Sequence, residues 1–276
     1  MPSLTANGIE MHYAVSGPEG GPPLVMIHGT LGDQRSLAAQ MEPLGAEGFR
    51  TMALSLRHCW PDSWREGGDF TIDTHVADVA AFIRALDDGP VALLGHSRGG
   101  HIAFRVAERH PDLVARLILA EPGGERDTSL GGEPGAKGQA SAFAAAAERI
   151  AAGDEEGGLR IVAEHTGGPG AWEKRPEARK ALNRANARTL LGQIHEARKP
   201  YTRAQAEAIR APTLLLLGAE TRPAFTANVE ALAGAIPRAT TVVIPGATHG
   251  LLFEKPAEVN AAVVTFIRTR QPVMAG

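Results

Sequence analysis

A wholly apolar run, Val91-Ala92-Leu93-Leu94, leads directly into Gly95-His96-Ser97-Arg98-Gly99-Gly100 and then into a helix-compatible stretch over residues 101–110. No other feature restricts the fold as strongly. A buried strand that turns into a helix within so few residues forces the apex of the bend into a backbone conformation that L-residues rarely adopt. Only small neighbours fit around such an apex. Gly95 and Gly99 supply them by omitting Cβ atoms, and Gly100 lets the start of the helix lie close to the strand. Ser97 would then stand exposed above the end of a sheet, at a helix N-terminus that favours developing negative charge. The bare pattern G-x-S-x-G arises by chance and can mark a βα turn with no chemistry. Between a strand and a helix it reads as a turn that presents a nucleophilic serine.

The remaining pattern is an alternation of strands and helices. Residues 4–16 read as a hairpin around Asn7-Gly8, a dipeptide suited to a type I′ turn. Apolar strands are expected over residues 24–27, 50–54 and 114–120, with helices over 36–47 and 70–87 between them. In the second helix Val76, Val79, Ala80, Ile83 and Leu86 recur at helical spacing. From Gly123 to about Ala211 the strand-like runs stop. Helical segments are expected over 140–152, 158–165, 177–194 and 202–209, with Gly-rich stretches at 131–138 and 153–158. After Pro212 the alternation returns, with strands over 213–217 and 240–244, helices over 225–235 and 256–270, and a frayed end from Gln271. The fold class is therefore α/β: a mostly parallel sheet flanked by helices, with ligands expected at the carboxyl ends of its strands. The core comprises residues 1–122 and 211–276, and residues 123–210 form a helical cap, a lid over that edge of the sheet.

Composition narrows the partners. Of 276 residues 43% are hydrophobic and 21% charged, with a formal charge of −3, which gives no reason to expect nucleic acid or an acidic membrane surface. No apolar run is long enough to span a bilayer, and the N-terminus lacks the basic and apolar regions of a signal peptide. The chain is expected to be cytoplasmic, a monomer or a homodimer. Its one cysteine, Cys59, excludes an internal disulfide and any cysteine-based zinc site, and is read as inert. The histidines lack ligand spacing and there is no H-E-x-x-H, so neither a metal nor another cofactor is expected.

A serine hydroxyl needs a base within hydrogen-bond reach, itself oriented by a third group. Position selects the base among ten histidines. His249, in Pro245-Gly246-Ala247-Thr248-His249-Gly250, follows the last expected strand and so arrives at the carboxyl edge of the sheet near Ser97. For the acid, the apolar run Ile118-Leu119-Ala120 ends abruptly in Glu121, 24 positions after Ser97. A carboxylate there needs a partner, because an unpaired buried charge is expensive. The alternative is Glu220, in Leu217-Gly218-Ala219-Glu220-Thr221, whose plainer reading is an exposed loop charge.

These residues resemble the α/β-hydrolase superfamily. Its members share the serine turn (Gly95-His96-Ser97-Arg98-Gly99), a His-Gly-x segment after the third strand (His28-Gly29-Thr30) and a Gly-x-x-His loop after the eighth (Gly246-Ala247-Thr248-His249). The order serine, acid, histidine also agrees. The resemblance implies an eight-stranded sheet with the second strand antiparallel. It also implies an oxyanion hole made of the backbone N–H groups of Thr30 and Arg98, with donors worth roughly 3–4 kcal/mol each in a transition state. His28 then braces the loop. Most members carry an Asp three residues beyond a Gly after the seventh strand, where this chain has Thr221. A second branch, with some lactonases, haloalkane dehalogenases and epoxide hydrolases, carries a carboxylate after the sixth strand, which favours Glu121 over Glu220.

A serine rather than an aspartate at the turn argues against dehalogenase or epoxide hydrolase chemistry. The leading expectation is an esterase or lactonase for small to medium, fairly apolar substrates. Its pocket is expected to involve Leu31, Phe143, Trp172, Leu251 and, from the unusual loop Ser55-Leu56-Arg57-His58-Cys59-Trp60-Pro61, Arg57 and His58. For the tryptophans packing is the plainer reading. For Arg57 and His58 it is a loop tie and a surface position. Asp33 is read as a loop cap. Competing expectations are a carbon–carbon bond hydrolase, which would use an arginine for a substrate carboxylate, a cofactor-free perhydrolase or dioxygenase, and a ligand receptor on the same scaffold.

Overall fold

The computed structural model of the chain describes residues 1–134 and 143–269. Eight strands form one sheet: β1 (Ser3–Ala6), β2 (Ile9–Ser16), β3 (Pro23–Ile27), β4 (Arg50–Leu54), β5 (Val91–His96), β6 (Val114–Ala120), β7 (Thr213–Gly218) and β8 (Ala239–Ile244). Their order is β1-β2-β4-β3-β5-β6-β7-β8, and β2 is antiparallel to both β1 and β4 while the remaining neighbours pair in parallel. Asn7 and Gly8 both have positive φ at the tip of the β1–β2 hairpin, as a type I′ turn requires.

The continuous apolar runs are explained by helices on both faces of the sheet. Successive residues on a strand point to opposite sides. Val25 and Ile27 accordingly join one apolar layer and Leu24 and Met26 the other, and Leu215 and Leu217 separate in the same way from Leu214 and Leu216. The first layer packs under α2 (Ile72–Leu86), α3 (Arg98–Arg109) and α9 (Pro223–Ala235); the second packs under α1 (Ala38–Ala46) and α11 (Pro256–Arg268). Thr71 caps α2 by accepting a hydrogen bond from the Thr74 N–H, and Asp87 closes it in the left-handed region.

Between β6 and β7 the described regular elements are helical: a 3₁₀ turn (Thr128–Leu130), α4 (Ala144–Ala151), α5 (Glu155–Gly167), α6 (Glu177–Ala185), α7 (Thr189–Gln193) and α8 (Arg203–Glu207). The single helix expected over 177–194 is two; at the break Asn186 donates its side-chain amide to Asp33 Oδ2 at 2.7 Å. The expected start of a helix at residue 140, part of the Gly-rich stretch 131–138, the helix end at Arg270 and the end from Gln271 lie outside the described residues. This segment divides in its packing. Leu130, Tyr201, Ala206 and Ile209 belong to the apolar layer of the sheet, whereas Phe143, Ile150, Leu159, Val162, Trp172 and Leu190 form a separate small core with Leu31, from the loop after β3. No helix among the described residues is long and apolar enough to cross a membrane.

Candidate active site

Ser97 joins β5 to α3 with φ 53° and ψ −118°. The glycines around it are required by close backbone approach. A Cβ on Gly95 would lie 2.2 Å from the Gly99 carbonyl oxygen, and one on Gly99 would lie 2.3 Å from that of His28. One on Gly100 would lie 2.9 Å from Pro122 Cα. The strained serine is held from both sides. Its N–H donates to Ala120 O at 3.0 Å, and its carbonyl accepts from Gly123 N–H at 2.9 Å and His101 N–H at 3.1 Å.

The loop after β8 carries His249 to this turn. Its Nε2 lies 3.0 Å from Ser97 Oγ and its Nδ1 2.7 Å from Glu121 Oε2. All three residues are buried. Two further contacts fix the imidazole. The Phe225 ring stacks on it at 3.7 Å between centroids and 15° between planes, and His96 Nε2 donates to the His249 carbonyl at 2.9 Å. Burial and the neighbouring His249 hold the His96 pKa well below the ordinary imidazole value, so His96 acts as a neutral donor.

Glu121 caps the end of β6 in a positive-φ conformation (43°), fully buried. Every contact of its carboxylate is with a donor. Oε1 accepts the Gly218 N–H at 2.7 Å, and Oε2 accepts the Thr221 hydroxyl at 2.8 Å besides His249 Nδ1–H. Such a set compensates a buried charge. Glu220, the alternative acid, is exposed, and its backbone N–H is tied to Ala247 O at 2.8 Å. Thr221, the next residue, instead meets Glu121, its hydroxyl donating to Oε2.

Gly29 brings the loop after β3 against the serine turn: a Cβ there would lie 3.1 Å from Ser97 Cβ and 3.3 Å from His96 Nδ1. Thr30, the next residue, lines the same cavity as Ser97. Arg98 sits at the first position of α3, and its side chain turns away into an ion pair with Glu196 (2.6 Å) and a contact with His75 Nδ1 (3.0 Å). His28 is a brace, as expected. Its Nδ1–H donates to Gly29 O at 2.8 Å and its Nε2 accepts the Leu56 N–H at 3.2 Å. Burial pushes its pKa down to about 4. Asp33 is the expected cap, accepting from the Arg35 N–H at 2.9 Å.

Ser97 and His249 open onto a cavity of about 420 Å³. Of the expected pocket residues, Leu31 and Phe143 line it. Four do not, and each is held elsewhere. Arg57 is paired with Asp78 (2.8 Å) and Asp69 (2.9 Å), and His58 Nε2 with Asp69 (2.7 Å). Trp172 is buried in the small helical core with its indole N–H on Glu156 at 3.2 Å. On α10 (Leu251–Glu254), Leu251 points into the apolar layer under α1 and α11, while its neighbours Leu252 and Phe253 reach the cavity. Phe225 and the cavity cations Arg175 and Arg179 lie in segments without a motif, and among the arginines of residues 123–210 no sequence pattern singles these two out.

Comparison with known proteins agrees with this architecture. YfhM, an AB hydrolase superfamily protein of Bacillus subtilis, is 32% identical over 116 residues, 42% of this chain and 41% of YfhM, so the chain spans about two fifths of that relative. YisY, another AB hydrolase superfamily protein of Bacillus subtilis, is 29% identical over 89% of this chain and 91% of its own length. The structure of a thermophilic esterase from Thermogutta terrifontis superposes with a TM-score of 0.75 at 26% identity, covering 97% of each chain. The alpha/beta hydrolase fold model matches residues 22–256, and the chain belongs to that family.

Proposed function

We propose that this chain is a serine hydrolase that cleaves carboxylic esters or lactones of small to medium substrates through an acyl-enzyme. The observation that carries the reading is the continuous hydrogen-bonded line Glu121–His249–Ser97 at the wall of an open cavity. His249 Nε2 takes the Ser97 proton as Oγ attacks the substrate carbonyl, and the oxyanion settles on the Thr30 and Arg98 amides. The intermediate collapses with the C–O bond breaking, and the leaving alkoxide receives the proton from His249. Water then repeats the sequence on the acyl-enzyme, releasing the acid and restoring the hydroxyl. Glu121 holds the Nδ1–H tautomer and stabilises the imidazolium that forms at each step. The helical segment acts as a lid, through which Phe143 and Val162 close part of the cavity with apolar surface.

The test is a panel of p-nitrophenyl esters of rising acyl length beside a set of lactones, run with the wild type and Ser97→Ala. The expected result is turnover by the wild type and a loss of at least about 10³-fold in the variant at unchanged melting temperature. Equal turnover by the two proteins overturns the assignment of Ser97.

A further inference from the structure

The cavity holds a cation that the mechanism does not use. Arg179, on α6, lines the same space as Ser97 and His249. Its guanidinium lies over the Phe253 ring, with Cζ 3.3 Å from the ring centroid. Its Nη1 is sealed from solvent and has no hydrogen-bond partner among the described residues. Arg98 and Arg105, which are fully buried, are matched by Glu196 and Glu108. Of the nearby acids, Asp33 is already taken by Arg35 at 2.7 Å and by the Asn186 amide, and Glu254, on the cavity wall, accepts the N–H and the hydroxyl of Thr248 at 2.7 Å each. The adjacent cavity residue is a second cation, Arg175, whose Nη1 donates to Asn183 Oδ1 at 2.7 Å. Burial and Arg175 together push the Arg179 pKa down to about 9.

Burying a guanidinium without a counter-ion works against folding. The cost is recovered where the missing partner arrives with a ligand. Contact with Phe253 restrains the guanidinium, and a fork of two parallel N–H bonds is the geometry that suits a planar carboxylate. We propose that Arg179, with Arg175 beside it, receives a free carboxylate of the substrate, so that the preferred substrates are esters or lactones carrying a second, ionised acid group. The inference deepens the hydrolase reading and rests on it for the word substrate.

The test compares p-nitrophenyl hemiglutarate with its methyl ester, a pair that differs in one negative charge. The wild type should favour the anionic ester in kcat/KM by at least about tenfold, and Arg179→Gln should lower that anionic-to-neutral ratio about 10- to 100-fold, as expected for a charge-assisted hydrogen bond. Arg179→Lys should restore only part of it, because an ammonium lacks the fork. A structural role for Arg179 would lower the melting temperature of Arg179→Gln; an unpaired cation kept for a ligand leaves it equal or higher. Titration calorimetry of monomethyl glutarate and dimethyl glutarate into Ser97→Ala, with and without Arg179→Gln, separates this idea from the hydrolase reading. Should the wild type cleave neither ester, the hydrolase reading fails, yet binding of the anion that Arg179→Gln abolishes still upholds the site. A wild type that treats both esters alike and binds neither glutarate preferentially overturns it, as does an anionic preference unchanged in Arg179→Gln.

Discussion

Replacing Glu121 by Gln removes one charge and keeps the shape, so its consequence can be followed atom by atom. All three partners of the carboxylate are used as donors: Gly218 N–H on Oε1, and Thr221 O–H with His249 Nδ1–H on Oε2. An amide offers one oxygen and one NH₂, so one end must face donors with donors. The backbone N–H of Gly218 cannot reverse its polarity, and the NH₂ must therefore point at Thr221 and His249. Thr221 can rotate its hydroxyl to accept. His249 can adapt only by moving its proton to Nε2, and that nitrogen then faces Ser97 Oγ as a donor and cannot accept the serine proton. The expected result for Glu121→Gln is a fall in kcat on a p-nitrophenyl ester of about 10³- to 10⁴-fold. Because every donor still finds an acceptor after this adjustment, the stability loss should stay within the range of one lost hydrogen bond, about 1–3 kcal/mol by urea denaturation. Glu220→Gln, at an exposed position, should change kcat by less than about twofold. Retained activity in Glu121→Gln together with a large loss in Glu220→Gln would refute the argument, since it would mean that His249 takes its orientation from the β7 loop.

Two further outcomes concern stability. Gly99→Ala sets a Cβ 2.3 Å from His28 O and 2.5 Å from Ile27 O, both backbone atoms, and should cost about 3 kcal/mol or more, whereas Gly234→Ala, on α9 with open space around the added carbon, should be neutral or stabilising by about 0.5–1 kcal/mol in the same denaturation assay. The buried His28 titrates near 4 in the folded chain against about 6.5 when unfolded, so the unfolded state takes up the proton first as pH falls. Its contribution is complete above pH 6.5 and is lost progressively towards pH 4, about 1.4 kcal/mol per pH unit and about 3 kcal/mol in all. The depressed pKa values of His75, His96 and His101 act in the same direction. Urea denaturation between pH 6.5 and 5, where most carboxylates remain ionised, should show stability falling; a flat or rising profile would contradict the neutral state assigned to these rings.

The strands and the serine turn could be read from the chain because their causes are local. An apolar run with turn residues at its ends must be buried, and Gly95 is required by the Gly99 carbonyl four residues on, whereas Gly99 answers to the Ile27 and His28 carbonyls at the end of the neighbouring strand. Glu121 was readable for a related reason: a carboxylate that ends a buried strand declares a need for donors, although which donors was not visible. Residues whose direction depends on distant segments were harder. Arg57 and His58 could be read either as pocket residues or, more plainly, as a loop tie and a surface position; Asp69 and Asp78, on the following loop and helix, decide for the tie at Arg57, and Asp69 also holds His58. Leu251 and Phe253 are near neighbours in one short helix, and only the position of that helix decides that the first enters the core and the second the cavity. Phe225 meets His249 through the docking of α9, for which no local pattern exists.

The departure at Thr221 has a simple geometric basis. β6 and β7 are adjacent parallel strands with Ala120 opposite Leu216, so the residues that follow them leave the sheet side by side. Neighbouring strands lie about 4.8 Å apart, a gap that the two methylenes of a glutamate can cover in large part. A carboxylate rooted after β6 can therefore occupy the space that one rooted after β7 would fill, without displacing the imidazole. The backbone makes the exchange workable. Glu121 turns into a positive-φ conformation that directs its side chain across the strand ends, and Gly218 offers its N–H where a Cβ would run within 2.4 Å of the Ala247 carbonyl oxygen. The vacated position then needs a small donor rather than a second acid, because two carboxylates there would repel. Thr221 meets that requirement, and its hydroxyl bond to Glu121 ties the loop after β7 to the end of β6.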